Sequence, residues 1–237
     1  MLIKDIEQLR NADFLSGVTM LVDKPLHWTS FDVVNKIRNA IKKKLKIKKI
    51  KVGHAGTLDP LATGLLIIAT GKDTKKLQQY QDRDKIYSGT MRLGATTKTY
   101  DSEFEPDDFY PVEHIDNDLL QNTVKMFTGM IEQTPPLFSA VKIKGKAAYK
   151  LARKGEKFDI KKRKVNIYDF KLENISLPDI DFHVTCEKGT YIRSLVHDFG
   201  KALQSGAYLL SLRREAIGEF EIENAFDLDE AIQAIIS

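Results

Sequence analysis

The chain has 237 residues, 42 % hydrophobic and 30 % charged, the balance of a soluble globular protein with one sizeable core and no call for a second domain. No apolar run approaches a membrane span and the start of the chain lacks a cleavable secretory pattern, so a cytoplasmic protein is expected. A net charge of +4 points weakly to an anionic partner, and the single cysteine, Cys186, excludes an internal disulfide.

Met1 to Ser16 reads as a short helical segment of mixed polarity that Gly17 ends. Val18 to Val22 reads as a strand running into Asp23-Lys24-Pro25, after which Thr29 or Ser30 can cap a helix with Val33, Val34, Ile37 and Ile41 on one face. Lysines crowd Lys42 to Lys51, and a second basic run covers Lys161 to Lys164. Between 53 and 64 the chain reads Gly-His-Ala-Gly-Thr-Leu-Asp-Pro-Leu-Ala-Thr-Gly. Its glycines permit tight backbone turns, and Pro60 holds Asp59 extended, so a carboxylate is posed on a loop ahead of the apolar strand Leu65 to Ala69. The lysine and hydroxyl of a phosphate-binding loop are not at their spacing here.

Gly71 to Thr74 opens another helix, and Asp84 to Leu93 a strand carrying Tyr87. Glu105 to Asp116, acidic and with two prolines, reads as a surface connection. A helix from about Asp118 to Thr128 stops at Gly129. Then follows Gln133-Thr-Pro-Pro-Leu-Phe-Ser-Ala-Val-Lys142, continuing through Gly145, Tyr149 and Arg153. Val165 to Phe170 and Phe182 to Cys186 alternate as half-buried strands do. Lys188-Gly-Thr-Tyr-Ile-Arg-Ser194 turns into a helix with Ile192, Leu195, Val196 and Phe199 on its apolar face and Arg193 off it, and Leu228 to Ile236 forms a last helix. Strands with interspersed helices indicate an α+β fold around a mixed, mostly antiparallel sheet.

The wording of the 53–64 stretch closely resembles the catalytic motif of the TruB/dyskerin family of RNA pseudouridine synthases, and the Lys-Pro turn, the Tyr87 strand, the Pro-Pro segment, Gly-Thr-Tyr-Ile-Arg and Leu209 to Phe220 resemble further family motifs in the family's order. Lys98 and Ser102-Glu103 depart from the family's usual aspartate and glycine. The resemblance implies the pseudouridine synthase fold over 1–237 as a single catalytic domain. It further implies an RNA-gripping insertion at about 133–157; many relatives carry a C-terminal RNA-binding domain of the PUA type, for which this chain is expected to leave no room.

The resemblance also assigns roles. Asp59 is the catalytic residue, Arg193 the arginine that pairs with it, and Tyr87 the aromatic ring that stacks on the target base. His54 occupies or shapes the gap left by the flipped base, Lys24 supports the site, Tyr191 and Leu212 line the pocket, and Lys142, Lys146 and Arg153 contact phosphates. The expected reaction converts uridine to pseudouridine at position 55 in the T-arm of tRNA, by a monomer without cofactor or metal. Two alternatives remain open at this stage: a guide-RNA-dependent subunit of the dyskerin kind, and an RNA-binding or tRNA-folding module without catalysis.

Overall fold

A computed structural model describes residues 1–139, 141–143, 145–156 and 158–237. The alanine at 140 in the Pro-Pro segment and position 157 at the end of the expected insertion lie outside the described residues. In chain order the main elements are α1 (Ile6–Arg10), β1 (Thr19–Lys24), α2 (Ser30–Leu45), β2 (Val52–Ala55), β3 (Ala62–Thr70), α3 (Leu77–Gln81), β4 (Lys85–Leu93) and α4 (Asn117–Met126). There follow β5 (Gly129–Gln133), α5 (Ala148–Ala152), β6 (Arg163–Ser176), β7 (Asp179–Cys186), α6 (Ile192–Ala202), β8 (Ala207–Ile217) and α7 (Leu228–Ile236). They form two compact units, Met1–Tyr87 with Arg213–Ser237, and Ser88–Leu212. The chain leaves the first within β4 and returns to it within β8.

In the first unit β1 and β2 each pair antiparallel with β3, while Phe226–Asp227 adds a parallel pair to β1. Alternation along β3 explains its unbroken apolar sequence. Leu66 and Ile68 face a core built with Val33, Val34, Ile37 and Ile41 of α2 and Leu228, Ala231 and Ile235 of α7. Leu65 and Ile67 face a second cluster with Leu21, Ala55, Ile217 and Ile222. A strand covered on both sides has no polar face to show. The helix expected after Pro25 starts with a reciprocal cap: Thr29 accepts from the Asp32 N–H, and the Asp32 carboxylate accepts from the Thr29 N–H.

In the second unit β6 pairs antiparallel with β7 on one side and β5 on the other. Phe170 sits edge-on to both Phe182 and Phe199, tying the sheet to α6. Cys186 is buried at the end of β7, as its alternation predicts. The mixed, mostly antiparallel α+β arrangement therefore stands. Boundaries differ in places. The helix before Gly129 runs Asn117–Met126 from an Asp116 cap, and Gly71–Lys76 is a 3-10 turn ahead of the short α3. β2 was not expected at all, because Gly53 and His54 have little strand preference and only pairing with β3 makes them one.

Candidate active site

The stretch that poses Asp59 is the connection between β2 and β3, and several backbone groups on both sides of the aspartate have partners. Ser30 Oγ, at the start of α2, accepts from the Leu58 N–H (2.9 Å) and donates to the Leu58 carbonyl (3.2 Å). The Asp59 carbonyl accepts from Ala62 N–H at 3.1 Å, and the Pro60 carbonyl from His27 N–H at 2.8 Å. Buried Leu58 plugs the connection into the interior, leaving Asp59 half-buried beside it. The acid is thus presented by a loop with little freedom to relax.

Arg214, which the sequence reading placed only within a closing segment, spans this loop. Fully buried at 1 % exposure, its Nε donates to the Leu65 carbonyl within β3 (2.8 Å) and its Nη2 to the Gly56 carbonyl at the start of the connection (3.0 Å). Gly64 exists for this approach: its φ is +103°, and a Cβ there would lie 2.4 Å from the Arg214 carbonyl oxygen. Nothing local in the sequence signals a pair 149 residues apart.

Lys24 is wholly buried at the end of β1. Its ammonium donates to the carbonyls of Pro25 (2.9 Å) and Trp28 (2.6 Å), bracing the turn whose His27 N–H holds Pro60. Burial pushes its pKa down to about 8, an effect that the Asp59 carboxylate opposes and Arg214 reinforces. His54 lies half-buried on β2, where burial, and then the Arg214 charge, lower its pKa and favour the neutral ring. Lys24 therefore feels the charges of both Asp59 and Arg214, and His54 feels that of Arg214. Tyr87, where the chain first leaves the first unit, is buried on β4.

The other expected site residues belong to the second unit. Arg193 is 5 % exposed in the first turn of α6. Its Nη1 donates to the Thr99 carbonyl (2.9 Å) and lies 3.6 Å from the Asp101 carboxylate, while Nη2 donates to the Phe138 carbonyl (2.9 Å). Tyr191 precedes α6, half-buried, with the Arg163 guanidinium 4.3 Å from its ring centre. Leu212 is half-buried on β8. Lys142 and Lys146 are exposed on a two-stranded turn, Lys142–Ile143 against Lys146–Ala147. Arg153 is also exposed, and its guanidinium bonds Glu103 Oε1 at 3.1 Å. Among the described residues no group of three or more His, Cys, Asp or Glu is arranged to hold a metal, and no helix is long and apolar enough to cross a membrane.

A family model described as "TruB family pseudouridylate synthase (N terminal domain)" matches residues 42–192. The chain is 51 % identical over 225 residues to tRNA pseudouridine synthase B of Flavobacterium johnsoniae, covering 93 % of this chain and 98 % of that one. It is 50 % identical over 218 residues to the enzyme of the same name from Parabacteroides distasonis, covering 92 % and 93 %. Among solved structures, a crystal structure of a Cbf5-Nop10-Gar1 complex superimposes with a TM-score of 0.69 at 30 % identity, over 97 % of this chain. The match spans only 56 % of that chain. A family model that matches more than half of the sequence, together with relatives half identical along nearly their whole length, shows that this chain belongs to the TruB family of pseudouridylate synthases.

Proposed function

We propose that the protein isomerises uridine to pseudouridine in tRNA, at position 55 of the T-loop, with Asp59 as its catalytic carboxylate. The observation that carries this reading is the Asp59 loop itself: a half-buried acid, held by backbone bonds on both sides, electrostatically coupled to a buried lysine, on a loop tied down by a buried arginine. Attack or proton abstraction requires the carboxylate in its ionised form. In the reaction the N1–C1′ bond breaks, the uracil turns, and C5 bonds to C1′. The C5 proton is lost and N1 gains one, so neither composition nor oxidation state changes and no redox cofactor is called for.

The target base is stacked in a folded T-loop, and extracting it costs a few kcal/mol. Tyr87 stacks on the extracted base, His54, favoured as a neutral ring, shapes the space it leaves, and Tyr191 and Leu212 line the pocket. Arg193 acts as the guanidinium partner of Asp59, an assignment that rests on the Gly-Thr-Tyr-Ile-Arg wording. Exposed Lys142, Lys146 and Arg153 meet phosphates, with Lys24 bracing the turn behind the acid. The protein works as a metal-free monomer in the cytoplasm. Asp59→Asn decides the central point. The variant should bind tRNA as the wild type does and release no tritium from C5-labelled uridine; retained turnover would take Asp59 out of its role.

A further inference from the structure

The side chain of Gln133 has no part in the roles assigned above, yet it is wholly buried and bonded through both its amide oxygen and its amide nitrogen. Its Oε1 accepts from the Tyr191 N–H at 2.7 Å and its Nε2 donates to the Tyr191 carbonyl at 2.9 Å. The amide orientation is dictated by the partner, since a backbone N–H only donates and a carbonyl only accepts. Directly across the β5–β6 ladder from Gln133 stands Arg163, whose guanidinium lies over the Tyr191 ring. Arg163 Nε and Nη2 find no hydrogen-bond partner among the described residues, so the ring face is what its plane meets. Two cross-strand neighbours thus hold one tyrosine, Gln133 by its backbone and Arg163 by its ring.

Tyr191 is the residue from which α6 starts, and its own side chain caps nothing. Two residues further on comes Arg193, which donates to the Phe138 carbonyl, and next to it Ser194 Oγ donates to the Thr134 carbonyl at 2.8 Å. The root of the 134–153 segment and the first turn of α6 are therefore stitched together at Gln133, Thr134 and Phe138.

We propose that Gln133, with Arg163 opposite it, is a positioning residue for the isomerisation: its two-point bond to the Tyr191 backbone sets where Tyr191 and Arg193 stand and seats the RNA-gripping segment against them. This rests on Tyr191 and Arg193 serving the reaction as proposed. Turnover by Asp59→Asn would remove that broader reading, whereas the variants below test Gln133 alone.

Gln133→Ala should lower the single-turnover rate of pseudouridine formation about 10- to 100-fold, the scale of a small misplacement of reacting groups, while the tRNA Kd moves by less than about threefold. Gln133→Glu supplies a readout that a merely structural role would not move. Its carboxylate can accept from the Tyr191 N–H but sets a lone pair against the Tyr191 carbonyl; once protonated it regains the missing donor. The rate of this variant relative to wild type should rise as pH is lowered from about 8 to about 6, because burial raises a carboxyl pKa. A folded Gln133→Ala enzyme with the wild-type rate would overturn the proposal, as would a Gln133→Glu profile parallel to that of wild type. Should Gln133→Ala fail to fold, the Gln133→Glu profile decides by itself.

Discussion

Ser30 and Leu58 exchange two hydrogen bonds, the serine hydroxyl accepting from the Leu58 N–H at 2.9 Å and donating to its carbonyl at 3.2 Å. One side chain thereby satisfies both backbone groups of the buried residue next to Asp59, so the first turn of α2 carries the acid's loop. Ser30→Ala leaves a buried donor and a buried acceptor unpaired. A loss of about 1 to 3 kcal/mol in stability is expected, measured by urea unfolding. Single-turnover rates should fall about tenfold or more with tRNA affinity nearly unchanged, because the change acts on the placement of the acid.

Arg214 joins the two ends of the same loop, and lysine cannot replace it. One ammonium on a flexible stem does not span the Gly56 and Leu65 carbonyls in the fixed geometry of a guanidinium. Arg214→Lys should cost about 2 to 3 kcal/mol of stability and most of the activity. Gly64→Ala attacks the contact from the other side, with its Cβ forced to 2.4 Å from the Arg214 carbonyl oxygen at a φ of +103°. It should destabilise by about 2 kcal/mol or more, read as a fall in melting temperature.

Lys24 gives the protein a pH signature. An unfolded lysine holds its proton to about pH 10.4, whereas buried Lys24 gives it up near 8. Between those values the unfolded chain binds more protons, so stability rises with pH; below them the cost of the buried charge is constant. Relative to Lys24→Met, wild type should gain up to about 3 kcal/mol between about pH 8 and 10.5, measured by denaturant unfolding at a series of pH values. A flat difference would mean that the ammonium is not desolvated.

In the free protein Arg153 is engaged by Glu103 at 3.1 Å, and the rings of Phe104 and Phe138 lie 6.0 Å apart beside that pair. Both partners are exposed, so the pair contributes under about 1 kcal/mol to stability. A phosphate must compete with Glu103 for the guanidinium. Glu103→Gln should tighten tRNA binding about two- to fivefold at low salt. Arg153→Ala should weaken binding and reduce the slope of log K against log salt by about 1. Filter binding across a salt series measures both.

What could be read from the residues alone was whatever the chain states locally. Thr29 or Ser30 declares the start of α2, because a cap residue and the apolar stripe after it lie within a few helical turns. The Asp59-Pro60 stretch declares a posed acid by its wording, and the fully apolar 65–69 run declares a buried strand, which the structure covers on both faces. Missing from that reading were β2, Ser30's hold on Leu58, the span of Arg214 and the grip of Gln133 on Tyr191. Each of these is a bond to a main-chain group 28 to 158 residues away, or, for β2, pairing with a neighbouring strand. Backbone N–H and C=O groups are the same in every residue, so a side chain that will bond one carries no mark of which it will be. The chemistry of this protein was legible in side-chain identities; the rigidity that aims it was decided only when folding chose which anonymous carbonyls and amides those side chains would meet.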